Sequence, residues 1–180
     1  MPDRLTIVNF LLFQLGWFAC VLSGAAGLNS PALLFTAVFL FIHFRFYSWK
    51  QTDYKLVLAA LLIGVVLDSS WSAWGLMAYQ AQAIEPVAPW WIWCLWINFA
   101  LTLNHSMSWL LKHRLLAGIF SAIASPVSYY AGSQLGALQW LQPEMLIIVL
   151  GISWGLAIPL LLTLAIYWRS QEARRQHALV

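Results

Sequence analysis

Charge is what this chain has least of. Only 8% of its 180 residues are Asp, Glu, Lys or Arg, against roughly 25% in a soluble domain. With 62% apolar residues and a mean hydropathy of +0.78, no soluble fold could bury the remainder, so lipid is the expected solvent. The basic residues are scattered over short loops and one tail, which leaves no footprint for nucleic acid. No H-x-x-x-H, H-E-x-x-H, G-x-S-x-G or phosphate-loop pattern is present, so the usual routes to di-iron, zinc-hydrolase, serine-hydrolase and nucleotide chemistry are missing. No cofactor is expected. The two cysteines, Cys20 and Cys94, lie in separate apolar segments and read as buried thiols rather than as a disulfide framework.

What is present is a series of long apolar runs. They predict an all-α, polytopic membrane helix bundle of six transmembrane helices, at about 5–24, 31–49, 56–78, 89–111, 115–133 and 145–168. The whole of residues 1–180 reads as one six-helix transmembrane domain. Gly24 to Pro31, the stretch from Gln80 to Pro89, and Ser133 to Glu144 supply turn chemistry between the runs. Asn9 and Gln14 and the length of the first run favour a retained span over a cleaved signal peptide. All nine Lys and Arg fall at the termini or in alternate loops, whereas the other three loops hold Glu85 and Glu144. The positive-inside rule then puts both termini in the cytoplasm.

One stretch stands out, Gly64-Val-Val-Leu-Asp-Ser-Ser-Trp-Ser-Ala-Trp-Gly75. Asp68 is the acid that reads as lying within hydrocarbon, where a carboxylate costs roughly 2.5–3.5 kcal/mol even on lenient scales. Gly64, Asp68, Trp71 and Gly75 share one helical face, which suggests that another backbone or a ligand approaches the acid closely. By helical rise, Asp68 lies about 18 Å from the cytoplasmic end, Asn98 and Ser128 about 20 Å, Ser153 about 22 Å and Gln14 about 14 Å. Such a polar layer is either a small-molecule site between helices or a set of helix-pairing bonds.

The fourth helix carries a second stripe of Asn98, Thr102, His105 and Trp109, with His105 a layer nearer the cytoplasm and expected to bond a neighbouring hydroxyl. His43 is expected near the interface. A metal site of Asp68, His105 and His43 would need ligands from different depths, so none is expected. In the fifth helix Ser121, Ser125 and Ser128 share a face, with Pro126 at mid-span and Tyr129 just beyond, which suits either a pocket wall or small-residue packing. Six of the twelve tryptophans, Trp17, Trp71, Trp74, Trp93, Trp96 and Trp154, lie too deep for an interfacial belt and need a hydrogen-bond partner or a site to line. The candidate ligand-binding set is Asp68, Trp71, Asn98, Ser128, Tyr129, Gln14, Trp17 and His105.

Four stretches carry a family resemblance: Asn9-Phe-Leu-Leu-Phe-Gln-Leu-Gly-Trp-Phe-Ala-Cys-Val-Leu22, Asp68 in the helix after a basic loop, Pro89-Trp-Trp-Ile-Trp93, and Ser125-Pro-Val-Ser-Tyr-Tyr-Ala-Gly132. Together they resemble the domain-of-unknown-function family numbered 2878, an uncharacterised family of bacterial inner-membrane proteins. The resemblance covers nearly the whole chain and implies a bacterial inner (cytoplasmic) membrane location and a lipid connection, because members are encoded near fatty-acid-modifying enzymes. It implies no activity, and it marks Asn9, Gln14, Trp17, Asp68 and Ser128 as the positions to test.

The leading expectation is therefore a membrane protein that binds a lipid or other hydrophobic small molecule between helices around Asp68, with a lipid-modifying enzyme as a candidate membrane partner. A small transporter or its substrate-binding subunit is the first alternative. An intramembrane enzyme using Asp68 as acid or base is the second, and a purely helix-pairing role for Asp68 is the third.

Overall fold

A computed structural model describes residues 4–47 and 49–177. Six α-helices make up most of it: α1 (Arg4–Ala25), α2 (Ser30–Phe46), α3 (Lys50–Ala73), α4 (Trp90–Ala100), α5 (Arg114–Gln134) and α6 (Pro143–His177). Two strands, β1 (Met77–Tyr79) and β2 (Leu138–Trp140), form a small antiparallel pair. Four helices, α1, α3, α5 and α6, are long and apolar enough to cross a membrane, while α2 is a shorter apolar helix of 17 residues. Large apolar side chains such as Leu34, Phe41, Leu62 and Leu156 are exposed on the outside of the bundle. In water that surface would drive aggregation. In a bilayer it is solvated by acyl chains.

The helices differ from expectation in three places. First, α3 begins at Lys50 rather than near residue 56, so Thr52 and Asp53 are buried in its first turn. The polar run Lys50-Gln-Thr-Asp53 looks like a loop by hydropathy, yet it continues the buried face of Leu56, Ala60, Gly64, Asp68 and Trp71. Second, α3 stops at Ala73. Gly75 takes a positive φ of 65°, its N–H bonds Ser72 O, and the N–H of Leu76 bonds Trp71 O, a Schellman ending. Gly75 therefore leaves the helical face that it shares with Asp68 in the sequence.

Third, the fourth apolar run is not one helix. After Ala100 the chain turns tightly through Leu101 to Met107, then makes a 3-10 turn over Ser108–Lys112. The proposed stripe of Asn98, Thr102, His105 and Trp109 is thereby broken. A buried non-helical backbone survives only where protein satisfies its polar groups. Here α1 supplies the partner: Asn9, fully buried, donates from Nδ2 to Leu101 O at 3.0 Å and accepts from the Ser106 hydroxyl at 2.6 Å. Thr102 Oγ1 donates to Phe99 O at 2.6 Å.

The ends of α3 and α5 match. Gly136 has φ 85°, with its N–H on Ser133 O and the Ala137 N–H on Gly132 O, which repeats the ending at Gly75. Each glycine leads directly into a strand, and the strands pair about Ala78 and Gln139. Asp68 and Tyr129 each stand seven residues before their glycine (75 − 68 and 136 − 129). Matched endings thus set them at one level. α5 packs most extensively on α6, α6 also on α3, and α4 on α1, α2 and α3.

Candidate functional site

Asp68 is completely buried in α3. Its Oδ1 accepts hydrogen bonds from the hydroxyls of Tyr79 and Tyr129, each at 2.6 Å, and its Oδ2 accepts one from Trp96 Nε1 at 2.8 Å. An ionised carboxylate can accept all three without a proton of its own. Tyr79, in β1, is held well above its ordinary pKa, first by burial and then by the neighbouring acid, so it remains a donor. Gly64 makes this possible. A Cβ at that position would fall 2.2 Å from Trp96 Cγ, so only glycine lets the indole lie across α3 and reach Asp68. Trp71 packs edge-on against Tyr129 at 5.7 Å between ring centroids.

In front of this lock lies a cavity of about 290 Å³, bounded by α1, α4, α5 and α6 and lined almost wholly by apolar atoms. Phe13, Trp17, Phe99, Phe120 and Trp154 are among its walls, and Trp96 and Tyr129 form part of the back. Trp96 stacks on Trp154 with centroids 4.4 Å apart. Trp17 Nε1 crosses from α1 to donate to Ser128 of α5 at 3.1 Å. The serine face is spoken for: Ser121 donates to the carbonyls of Gly118 and Trp154, and Ser125 to that of Leu150.

Of the sequence candidates, Trp17, Ser128 and Tyr129 line the cavity, and Asp68 and Trp71 stand behind it. Asn98 lies outside it in the α1–α2–α4 interface, donating to Thr36 Oγ1 at 3.1 Å and to Cys20 Sγ at 3.7 Å. Gln14 is on an exposed part of α1. Cys20 and Cys94 are buried free thiols. Of two further cavity residues, Trp96 was marked in the sequence only as a deep indole in need of a partner or a site, and Phe99 gave no signal beyond being apolar.

His105 belongs to a second site at the end of the bundle that carries the lysines and arginines. Its Nε2 lies 2.7 Å from Asp53 Oδ2, and His43 Nε2 lies 2.8 Å from the same oxygen. Its neighbour is thus a carboxylate, not a hydroxyl. Asn104 Nδ2 donates to Asp53 Oδ1 at 2.7 Å. His43 is buried at this end of the bundle, because it continues the inward face of Ala32, Thr36 and Phe39 on α2. Tyr47 stacks on the His43 ring at 4.9 Å and meets His105 edge-on. Among the described residues, Asp53, His43 and His105 bring together donor atoms, all within 4.8 Å of one another, of the kind that hold a metal. Asp53 itself was hidden in the sequence by the late start assigned to α3. The signal was the buried face of Asp68 traced back toward Lys50.

The model of one family, described as "Protein of unknown function (DUF2878)", matches residues 6–160. The chain belongs to that family. No curated protein and no solved structure matches it. The DUF2878 match takes in Asp53 and Asp68, the broken fourth helix and every cavity wall named above.

Proposed function

We propose that this protein is a multi-pass membrane protein that holds an elongated hydrophobic molecule, a lipid acyl chain in the first instance, in the cavity between α1 and α5. The observation that carries this reading is the cavity itself: aromatic on most sides, apolar, and close to the lower limit of about 300–1,000 Å³ usual for small-molecule pockets. Ser121 and Ser125 already bond backbone carbonyls and Ser128 accepts from Trp17, which favours an apolar occupant over a polar metabolite. Asp68 acts from behind the wall, fixing Trp96 and Tyr129 and so the shape of the pocket. The distribution of Lys and Arg supports a cytoplasmic position for both termini in a bacterial inner membrane.

The test is mass spectrometry of molecules that co-purify with the protein in mild detergent, wild type against Ala124→Trp. Ala124 lines the cavity from an exposed position on α5, so a large side chain there fills the pocket without entering the core. A defined hydrophobic molecule should co-purify with the wild type and fall about tenfold in the variant, equivalent to 1.4 kcal/mol, with the melting temperature retained. Equal occupancy in the two proteins, or nothing above the detergent blank, would overturn the reading.

A further inference from the structure

We propose that His43, Asp53 and His105 form a binding site for one divalent first-row transition-metal ion, zinc or ferrous iron in class, at the basic end of the bundle. The inference is independent of the hydrophobic cavity. It starts from the break in α4. A straight helix through residues 101–112 would satisfy its own backbone. Instead the chain turns, and Asn9 is spent on the freed groups at Leu101 and Ser106. The turn delivers two consecutive side chains, Asn104 and His105, to the same carboxylate. Helix pairing alone requires no such rearrangement of the chain.

The donor set is one that metals use. Two imidazole nitrogens and one carboxylate oxygen suit zinc or iron(II), and three protein ligands leave at least one coordination position free. The three atoms come from three separate segments, α2, α3 and the turn after α4, and converge within 4.8 Å. With metal–ligand bonds of about 2.0–2.1 Å, tetrahedral neighbours stand about 3.3 Å apart. The contacts of 2.7 and 2.8 Å therefore open by about 0.5 Å to admit an ion, and the two imidazole nitrogens, within 4.8 Å of one another, settle to the same spacing.

Part of the support that a metal site uses surrounds the ligands, although the buried His43 Nδ1 has no hydrogen-bond partner. Asn104 holds Asp53 Oδ1 and so turns Oδ2 toward the imidazoles. Tyr47 fixes both rings and is itself anchored to Leu5 O at 2.7 Å. Asp53 is fully buried, but the His105 side chain retains 10% exposure, which leaves a route to the site. The nearby charges are accounted for. Arg169 lies over the Trp49 ring and feels the field of Asp53, while Glu172 accepts from the Thr52 N–H and hydroxyl. Two neutral imidazoles and one carboxylate leave the ligand set at −1, so a dication is attracted into it.

The experiment uses the full chain in detergent, stripped with a chelator and then dialysed against Zn²⁺ or Co²⁺. The wild type should retain about one ion per chain and melt at a higher temperature when loaded. His105→Ala, which changes the partly exposed ligand, should lose both effects, and Asn104→Ala should weaken binding by about 10–100-fold. X-ray absorption at the zinc edge of the wild type needs no variant and should show two imidazoles and an oxygen donor. No ion retained by the wild type, retention undiminished in His105→Ala, or a zinc spectrum lacking imidazole each overturns the proposal.

Discussion

The protein contains two buried carboxylates in α3, and their surroundings are opposite in kind. Asp68 is met by two phenols and an indole, groups that donate hydrogen bonds and do not change charge near neutrality. Asp53 is met by two imidazoles and an amide, groups that bind metals or switch tautomer. Equal burial thus serves two ends. The first acid fixes a wall of aromatic rings, and the second gathers ligands. Only the first was conspicuous in the sequence.

That contrast can be broken experimentally. Asp68→Ala strands three buried donors at once. Hydrogen bonds to a charged group contribute about 1.5–3 kcal/mol each, and allowing for their mutual dependence the expected loss is about 4 kcal/mol. Denaturant unfolding in detergent should show this, together with tryptophan fluorescence shifted by the release of Trp96. If Asp68→Ala unfolds like the wild type, Asp68 does not hold the wall.

Asn9→Ala should cost less, about 2 kcal/mol, because it leaves one carbonyl and one hydroxyl poorly satisfied at the break in the fourth helix. Hydrogen exchange sharpens this case: amides from 101 to 106 should exchange faster while those of α3 do not. Uniform acceleration across the bundle would show that Asn9 supports the fold as a whole rather than the turn.

Asp53→Asn should be the mildest in stability, about 1 kcal/mol. The amide can present its oxygen and its NH₂ to different partners, and each imidazole can adopt the matching tautomer. A loss as large as that of Asp68→Ala would mean that the second acid is also a scaffold. In that event the two sites would not differ in kind.

The helical membrane fold was legible because apolar length is a strong signal, and α1, α5 and the start of α6 fall close to the expected bounds. The break in the fourth helix was not, because Leu101 to Met107 holds no proline or glycine, and its polar residues Thr102, Asn104, His105 and Ser106 read equally well as a stripe on a continuous helix. What breaks it is tertiary: Asn9, more than ninety residues away, is the group that satisfies the turn. Asp68 was legible as a buried acid, since nothing else in its run is charged. Asp53 was masked by Lys50, Gln51 and Lys55, which mimic a loop although one face of the same turn points inward. Tyr79, a principal partner of Asp68, lies in a strand that only the Schellman turn at Gly75 brings back over the acid. Gln14 shows the converse error. Its counted position put it near the polar layer, but depth alone does not say which side of α1 a residue occupies.

The most direct test of the hydrophobic site is cross-linking in bilayers with a phospholipid that carries a photoactivatable group along its acyl chain. Binding in the cavity predicts adducts concentrated on Phe13, Trp17, Phe120 and Ala124, and their loss on competition with unlabelled lipid or in Ala124→Trp. Labelling spread evenly over the outward residues Leu34, Phe41 and Leu62 and the cavity walls would instead describe ordinary boundary lipid, and would contradict a dedicated site.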